Sequence, residues 1–135
     1  MKINVGLCPI GIEMKKENKV LNLSKTFAIR IIRLYQYLQN EKMEYVLSKQ
    51  VLRSGTSIGA NIRESVHAQS LEDFIHKLNI SLKESYETEY WIELLYETDY
   101  INKQQFESII SDNKEITATL VKIIKTSKMK NDANH

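Results

Sequence analysis

The sequence predicts an all-α protein, an up-down-up-down four-helix bundle. Residues that break helices are confined to the first half of the chain, where the one proline is Pro9 and the last of the four glycines is Gly59. A sandwich or barrel of short strands would need many more turn residues. Beyond the first twenty residues, apolar side chains recur every three or four positions in four long stretches, as in amphipathic helices. Short connections between such helices favour antiparallel neighbours.

Helix one is predicted over residues 24–40, with Ser24 as a candidate N-cap. Its apolar stripe, at 4-3-4 spacing, consists of Phe27, Ile31, Leu34 and Leu38.

Helix two is predicted over residues 44–68. Its wide apolar face contains Val51, Leu52, Gly55, Ile58, Gly59, Ile62 and Val66. A glycine inside a helix costs about 1 kcal/mol relative to alanine. We therefore expect another helix to approach the backbone closely at Gly55 and Gly59.

Helix three is predicted over residues 70–97, where Ser70 and Asp73 resemble a capping box. Its apolar face contains Phe74, Leu78, Leu82, Ile92 and Tyr96. Helix four follows residues 99–102 and is predicted to end near Lys125. Its heptad seam, with one polar interruption, is Phe106, Ile109, Asn113, Ile116, Leu120 and Ile123.

The length predicts one domain, the bundle over residues 21–125. Residues 1–20 are expected to be a leader that is disordered or belongs to a misassigned start, with Met14 as a candidate natural start. Residues 126–135 are expected to form a flexible basic tail.

Composition excludes several classes of protein. The chain is 42% hydrophobic and 27% charged, with a net charge of +2, as expected for a globular, soluble domain. The single cysteine, Cys8, rules out an intramolecular disulfide and fits a reducing cytosol. The apolar leader lacks a small-residue cleavage site, and no run approaches the roughly 20 apolar residues of a membrane span. We therefore expect a cytoplasmic protein with no membrane partner.

Two polar stripes lie beside the apolar faces of the middle helices. The stripe on helix two consists of Gln50, Ser54, Ser57, Asn61 and Glu64, and that on helix three of Lys77, Ser81, Glu84, Thr88 and Trp91. Small hydroxyls and amides suit close contact and directed hydrogen bonds, although a solvated surface is the alternative.

Charge supports pairing between these stripes. Residues 72–99 contain eight carboxylates and two lysines, a net charge of −6, so the remainder of the chain carries +8. Arg53 with Glu84 or Glu87 is the first pair to test, and ordinary exposed ion pairs are the alternative. The candidate residues of an interface between helices or subunits are Gln50, Arg53, Ser54, Ser57, Asn61, Glu64, Lys77, Glu84, Glu87 and Trp91.

Basic residues form a second candidate surface. The possible nucleic-acid contacts are Lys49, Arg53, Arg63, Lys122, Lys125 and Lys128. Lysines in the last turns of a helix also complement its dipole, so a purely structural role is the alternative.

Three segments resemble phosphate-binding, metal-binding or catalytic motifs but lack a required feature of each. The segment 55–59 lacks the Gly-Lys-Ser/Thr ending of a phosphate-binding loop. The pairs Glu64/His67 and Asp73/His76 have the i, i+3 spacing of metal-binding bundles but lie away from the apolar faces. The serines of helix two have no histidine spaced to act as a general base. We expect no cofactor, no metal and no catalytic residue, so the chain is predicted not to be an enzyme.

Residues 48–64, SKQVLRSGTSIGANIRE, resemble a signature of the bacterial four-helix bundle proteins encoded within 23S rRNA intervening sequences. Residues 74–78, 81–85 and 87–92 resemble that family's second signature block, and the resemblance covers roughly residues 20–125. It implies a left-handed bundle that assembles as a homopentamer. It also implies kinship with accessory proteins of diversity-generating retroelements, which bind a reverse transcriptase and nucleic acid. The matching positions, interpreted as interface and scaffold residues, are Arg53, Ser57, Asn61, Glu64, Lys77, Glu84, Glu87 and Trp91.

The expected function is a non-catalytic oligomeric scaffold that binds RNA or a ribonucleoprotein partner, such as a reverse transcriptase-like protein, with Arg53 and Arg63 as main contributors. The alternative is a protein-binding adaptor that uses a face of helix three without nucleic acid. That face contains Tyr86, Tyr90, Glu93 and Glu97.

Overall fold

A computed structural model describes residues 14–134 of the chain, with side chains from residue 18 onward. Within this part the chain forms four α-helices and no strand: α1 (Met14–Asn40), α2 (Leu47–Ser65), α3 (Leu71–Glu97) and α4 (Lys103–Ala133). Each helix packs against the next, and α4 also packs against α1. The all-α prediction is confirmed, and the arrangement is consistent with a four-helix bundle.

Helix α1 begins at Met14, so the predicted start at residue 24 is wrong. Val20 and Ser24 are both 1% exposed and continue the inward stripe toward the N-terminus. Ser24 lies inside the helix, where its hydroxyl donates to the Leu21 carbonyl at 3.1 Å, and it is not an N-cap. Residues 14–20 of the predicted leader are therefore helical, whereas residues 1–13 lie outside the described part.

Helix α2 is shorter than predicted because Glu44 ends the preceding turn instead of starting the helix. Its buried carboxylate accepts hydrogen bonds from the backbone N–H groups of Val46 at 3.2 Å, Leu47 at 2.9 Å and Ser48 at 2.7 Å. These bonds satisfy amides that the first turn of a helix leaves free. Met43, with φ of 53°, takes the left-handed conformation that reverses the chain.

Helices α3 and α4 have capped N-termini. The Ser70 hydroxyl accepts from the Asp73 N–H at 3.0 Å, but the Asp73 carboxylate accepts from Gln69, so the predicted capping box is only half formed. The complete box is at α4, where Asn102 and Gln105 each accept from the other's backbone N–H at 2.8 Å. This box was not predicted from the sequence.

Helix α4 continues to Ala133, beyond the predicted end near Lys125. Ser127 is fully buried and its hydroxyl donates to the Ile123 carbonyl at 2.7 Å. The buried face of α4 thus continues through a small polar residue after its last large apolar side chains, Ile123 and Ile124. Residues 126–133 are helical and do not form the expected flexible tail.

The hydrophobic core lies between the four helices and follows the predicted stripes closely. Six side chains of the predicted apolar faces are only partly buried: Leu34, Leu52, Val66, Leu82, Tyr96 and Phe106. Leu95 and Ile124 are buried without having been predicted. The largest fully buried side chains are Phe27, Ile31, Leu38, Ile58, Ile62, Phe74, Leu78, Ile92, Leu95, Ile116 and Leu120.

Asn113 interrupts the apolar seam of α4 as predicted and is fully buried. Its side-chain Nδ2 donates to the Ser85 carbonyl of α3 at 3.0 Å. Its Oδ1 atom has no hydrogen-bond partner among the described residues. The α3–α4 contact therefore contains a polar group that is only half satisfied.

The two glycines of α2 let α1 approach closely, as predicted. A Cβ atom on Gly55 would lie 2.8 Å from two γ carbons of Ile31, and one on Gly59 would lie 3.2 Å from the Ser24 hydroxyl. Any larger side chain at Gly55 would require α1 or Ile31 to move.

Candidate interface and exposed cations

The polar stripes of α2 and α3 face each other inside one chain. The hydroxyls of Ser54 and Thr88 are hydrogen bonded at 2.9 Å, and both residues are fully buried. About one turn further along α2, the buried hydroxyl of Ser81 donates to the Ile58 carbonyl at 2.7 Å. Small side chains allow this close contact. Each hydroxyl loses its hydrogen bonds to water on burial and gains one within the protein instead.

A charged cluster lies at the edge of this contact. The Arg53 guanidinium donates to Glu84 at 3.2 Å and also to Glu87, which in turn accepts from the Trp91 indole N–H at 3.0 Å. The Trp91 hydrogen bond, and after it Arg53, hold the pKa of Glu87 below its usual value. The hydrogen bond that Arg53 donates to Glu87 raises the pKa of Arg53. Both shifts favour the charged forms of Glu87 and Arg53 at neutral pH.

A second ion pair lies near the turn between the two helices, where the Lys77 ammonium is 3.1 Å from the Glu64 carboxylate. Pairing of residue 64 with 77 and of residue 54 with 88 shows that α2 and α3 run in opposite directions. These contacts join two helices of the same chain.

Of the ten predicted interface residues, six pair between the two helices: Arg53, Ser54, Glu64, Lys77, Glu84 and Glu87. Trp91 is half-buried and donates to Glu87 of its own helix. Gln50 is exposed. Ser57 and Asn61 are half-buried and donate to carbonyls of their own helix, those of Arg53 at 2.7 Å and of Ser57 at 2.9 Å. Ser81 and Thr88 belong to the predicted stripe of helix three but were not among the candidate interface residues. Their positions in the regular spacing of that stripe were the signal that could have included them.

The candidate cations divide into two groups. Arg53 is held by two carboxylates, whereas Lys49, Arg63, Lys122, Lys125 and Lys128 are exposed and take part in no ion pair among residues 18–134. Lys125 and Lys128 border a groove of about 360 Å³ between α3 and α4, whose floor includes Leu82 and Ile124.

Two aromatic side chains of α3 also lie in solvent. Tyr86 and Tyr90 are 52% and 54% exposed. The Tyr90 ring is 5.3 Å from the ring of Trp91, so the aromatic surface adjoins the charged cluster.

No group of three or more histidine, cysteine or acidic residues that could hold a metal occurs in the described part of the chain. The residues of the two i, i+3 pairs, Glu64/His67 and Asp73/His76, are exposed or partly exposed. Among the described helices, none combines the length and apolar character needed to cross a membrane.

Comparison with curated proteins gives no match. A solved structure of a protein with unknown function from the S23 ribosomal protein family of Bacteroides thetaiotaomicron VPI-5482 is 60% identical to this chain, with a TM-score of 0.81. The match covers 82% of this chain and 98% of that one. The family model described as 23S rRNA-intervening sequence protein matches residues 16–122, which include most of α1, all of α2 and α3, and the first 20 residues of α4. The chain therefore belongs to the 23S rRNA-intervening sequence protein family.

Proposed function

We propose that the protein is a non-catalytic, oligomeric four-helix scaffold that binds RNA or a ribonucleoprotein partner. The observation that carries this proposal is the row of exposed lysines on α4. Lys122, Lys125 and Lys128 recur every three residues, and no described carboxylate forms an ion pair with them. Such uncompensated cations suit phosphate contacts, which supply most of the affinity of non-specific nucleic-acid binding.

The family is named for the 23S rRNA intervening sequence and the solved relative for a ribosomal protein family, so 23S rRNA is the first RNA to test. The chain's net charge of +2 is small, so one copy would bind weakly. Assembly into a homopentamer of left-handed bundles, as the family resemblance implies, would repeat the lysine row and multiply its avidity. We place this assembly in the cytoplasm, as the single cysteine and the leader sequence indicate. A reverse transcriptase-like protein bound to RNA is the ribonucleoprotein partner that the same resemblance supports.

Filter binding of a transcribed, structured fragment of 23S rRNA tests this function. Affinity is expected to fall steeply between about 50 and 200 mM salt, because each phosphate contact releases counterions. The triple variant K122A/K125A/K128A should lower the slope of log affinity against log salt by about 2 to 3. The matched control K19A/K77A/K103A removes three lysines that carboxylates of the same chain already pair with, and it should leave the slope nearly unchanged. Absence of RNA retention at about 50 mM salt would refute the proposal.

A second candidate function is a protein-binding adaptor without nucleic acid. The exposed pair Tyr86 and Tyr90 on the acidic helix α3 favours it, because aromatic side chains are enriched at protein interfaces. Partner capture that survives nuclease treatment and is lost in a Tyr86→Ser/Tyr90→Ser variant would support this function over RNA binding.

A further inference from the structure

A groove between α1 and α4 offers an unfilled apolar surface. Its volume is about 500 Å³, and its lining includes Leu34, Tyr37, Ile101 and Ile109. Ile29, at the rim, is 48% exposed. A groove of this size and apolar character is typical of surfaces that receive a ligand or a partner side chain.

Two guanidinium groups border the groove and differ in their partners. Arg30 lies 2.6 Å from the Asp112 carboxylate and 2.9 Å from the Ser108 hydroxyl, so α4 already satisfies it. Arg33 is exposed, and its hydrogen bond among the described residues is to Gln36 of its own helix, at 3.2 Å. The rim therefore presents one cation without an acidic partner in the described chain.

The complementary chemistry lies on α3. Tyr86, Tyr90, Glu93 and Glu97 follow at 4-3-4 spacing and share one face of the helix. The two tyrosines are more than half exposed, and neither glutamate forms an ion pair among residues 18–134. We call these four residues the acidic aromatic face.

The groove and the acidic aromatic face lie at the same level of the bundle but on different helices. Tyr96 of α3 stacks on Phe106 of α4 with ring centroids 4.4 Å apart, which places the last turns of α3 beside the turns of α4 that line the groove. The main helix contacts do not include α1 with α3, so one chain does not bring its own face onto its own groove. Two complementary surfaces at one level permit a head-to-tail contact that can close into a ring.

We propose that the acidic aromatic face of one copy docks into the α1–α4 groove of a second copy, with Arg33 meeting Glu93 and Glu97 while Tyr86 and Tyr90 cover the apolar floor. Six of the ten residues predicted for such an interface already pair between α2 and α3 of one chain, so we assign self-association to another pair of surfaces. This inference rests on the oligomeric part of the proposed function and assigns the residues that create the oligomer.

Charge reversal followed by sedimentation velocity of the full chain tests the docking. Arg33→Glu alone, or Glu93→Arg/Glu97→Arg alone, should raise the dissociation constant of the oligomer at least tenfold. Combining the three changes should restore most of the wild-type association, because each reversed charge again meets its opposite. Lys25→Glu removes the same kind of charge from an exposed position on α1 two turns away and should have no effect.

The outcomes separate this inference from the proposed function. If the wild-type chain is oligomeric but the reversals behave like Lys25→Glu, or the combined variant is not restored, the assigned surfaces are wrong while the scaffold proposal stands. A wild-type chain that sediments as a monomer at high concentration would overturn both. Circular dichroism of each variant shows whether the helices are retained, and the combined variant distinguishes lost pairing from lost folding.

Discussion

Ser54 of α2 and Thr88 of α3 share a hydrogen bond of 2.9 Å between fully buried hydroxyls. Thr88 Oγ1 also lies 2.7 Å from the Glu84 carbonyl of its own helix. The two bonds link the backbone of α3 to a side chain of α2 through one hydroxyl. Because both residues are inaccessible to water, this contact fixes the position of the two helices more firmly than the exposed ion pairs around it do.

The variant Thr88→Val should lower the free energy of unfolding by about 1 to 2 kcal/mol, since it preserves shape but leaves the buried Ser54 hydroxyl without its partner. Urea denaturation followed by circular dichroism measures the change. Thr56→Val is the matched control, because the half-buried Thr56 hydroxyl bonds carbonyls of its own helix, that of Leu52 at 2.8 Å. It should change stability by less than about 0.5 kcal/mol. Equal effects of the two substitutions would contradict the interhelical role of Thr88.

The Arg53–Glu87–Trp91 cluster predicts a pH-dependent contribution to stability. The pKa of Glu87 is lowered in the folded chain, chiefly by the Trp91 hydrogen bond, so ionised Glu87 stabilises the fold above its unfolded-state pKa. That contribution disappears as the pH falls through the lower, folded-state pKa. Glu87→Gln should therefore be less stable than wild type at pH 7, by less than about 1 kcal/mol for so exposed a group.

Urea denaturation of wild type and Glu87→Gln at pH 7 and at acid pH tests this prediction. The difference should vanish in acid, where the wild-type carboxyl is also neutral. Glu89→Gln removes a carboxylate of the same helix that has no ion pair in the described chain, and it should leave stability at pH 7 unchanged. A difference that stays constant across the pH range would exclude ionised Glu87 as its cause.

Gly55→Ala should destabilise the chain although alanine is the better helix former. The added Cβ would meet two γ carbons of Ile31 at 2.8 Å, and the β-branched Ile31 has little rotamer freedom in a helix. Overpacking of this kind costs about 1 to 3 kcal/mol, against about 1 kcal/mol gained in helix propensity. In an Ile31→Ala background the clash is removed, so Gly55→Ala should become stabilising. A double-mutant cycle measured by thermal denaturation gives the coupling.

Asn113→Leu should raise the free energy of unfolding by about 1 kcal/mol, because it removes a buried Oδ1 atom that has no partner in the described chain. The Ser85 carbonyl that Asn113 contacts lies inside α3 and keeps its helical hydrogen bond. Asn113→Asp should do the opposite and lower stability at pH 7 by about 3 kcal/mol or more, since it buries a carboxylate. Destabilisation by leucine would indicate that Asn113 contributes more through its bond to Ser85 than it loses through Oδ1.

The helices themselves could be predicted from the sequence because amphipathic periodicity is a local property. Phe27, Ile31 and Leu38 on α1, and Ile109, Asn113 and Ile116 on α4, are buried as their spacing indicated. Helix ends were harder to predict. The start of α2 depends on the Glu44 carboxylate folding back onto three amides. Helices α1 and α4 continue past their predicted ends, and the small residues Ser24 and Ser127 are buried there although neither belongs to the apolar stripes.

By itself the sequence determined that this chain forms four helices, which side of each is apolar, and that two polar stripes and Arg53 with Glu84 or Glu87 are suited to pairing. Only the tertiary structure decided where that pairing occurs. A stripe of serines, threonines and charges has the same spacing whether it meets a helix of its own chain or of another copy, because periodicity specifies a face and not its neighbour. The folded chain places Thr88 against Ser54 and buries the small hydroxyls of the stripes internally, while the α1–α4 groove and the acidic aromatic face remain exposed.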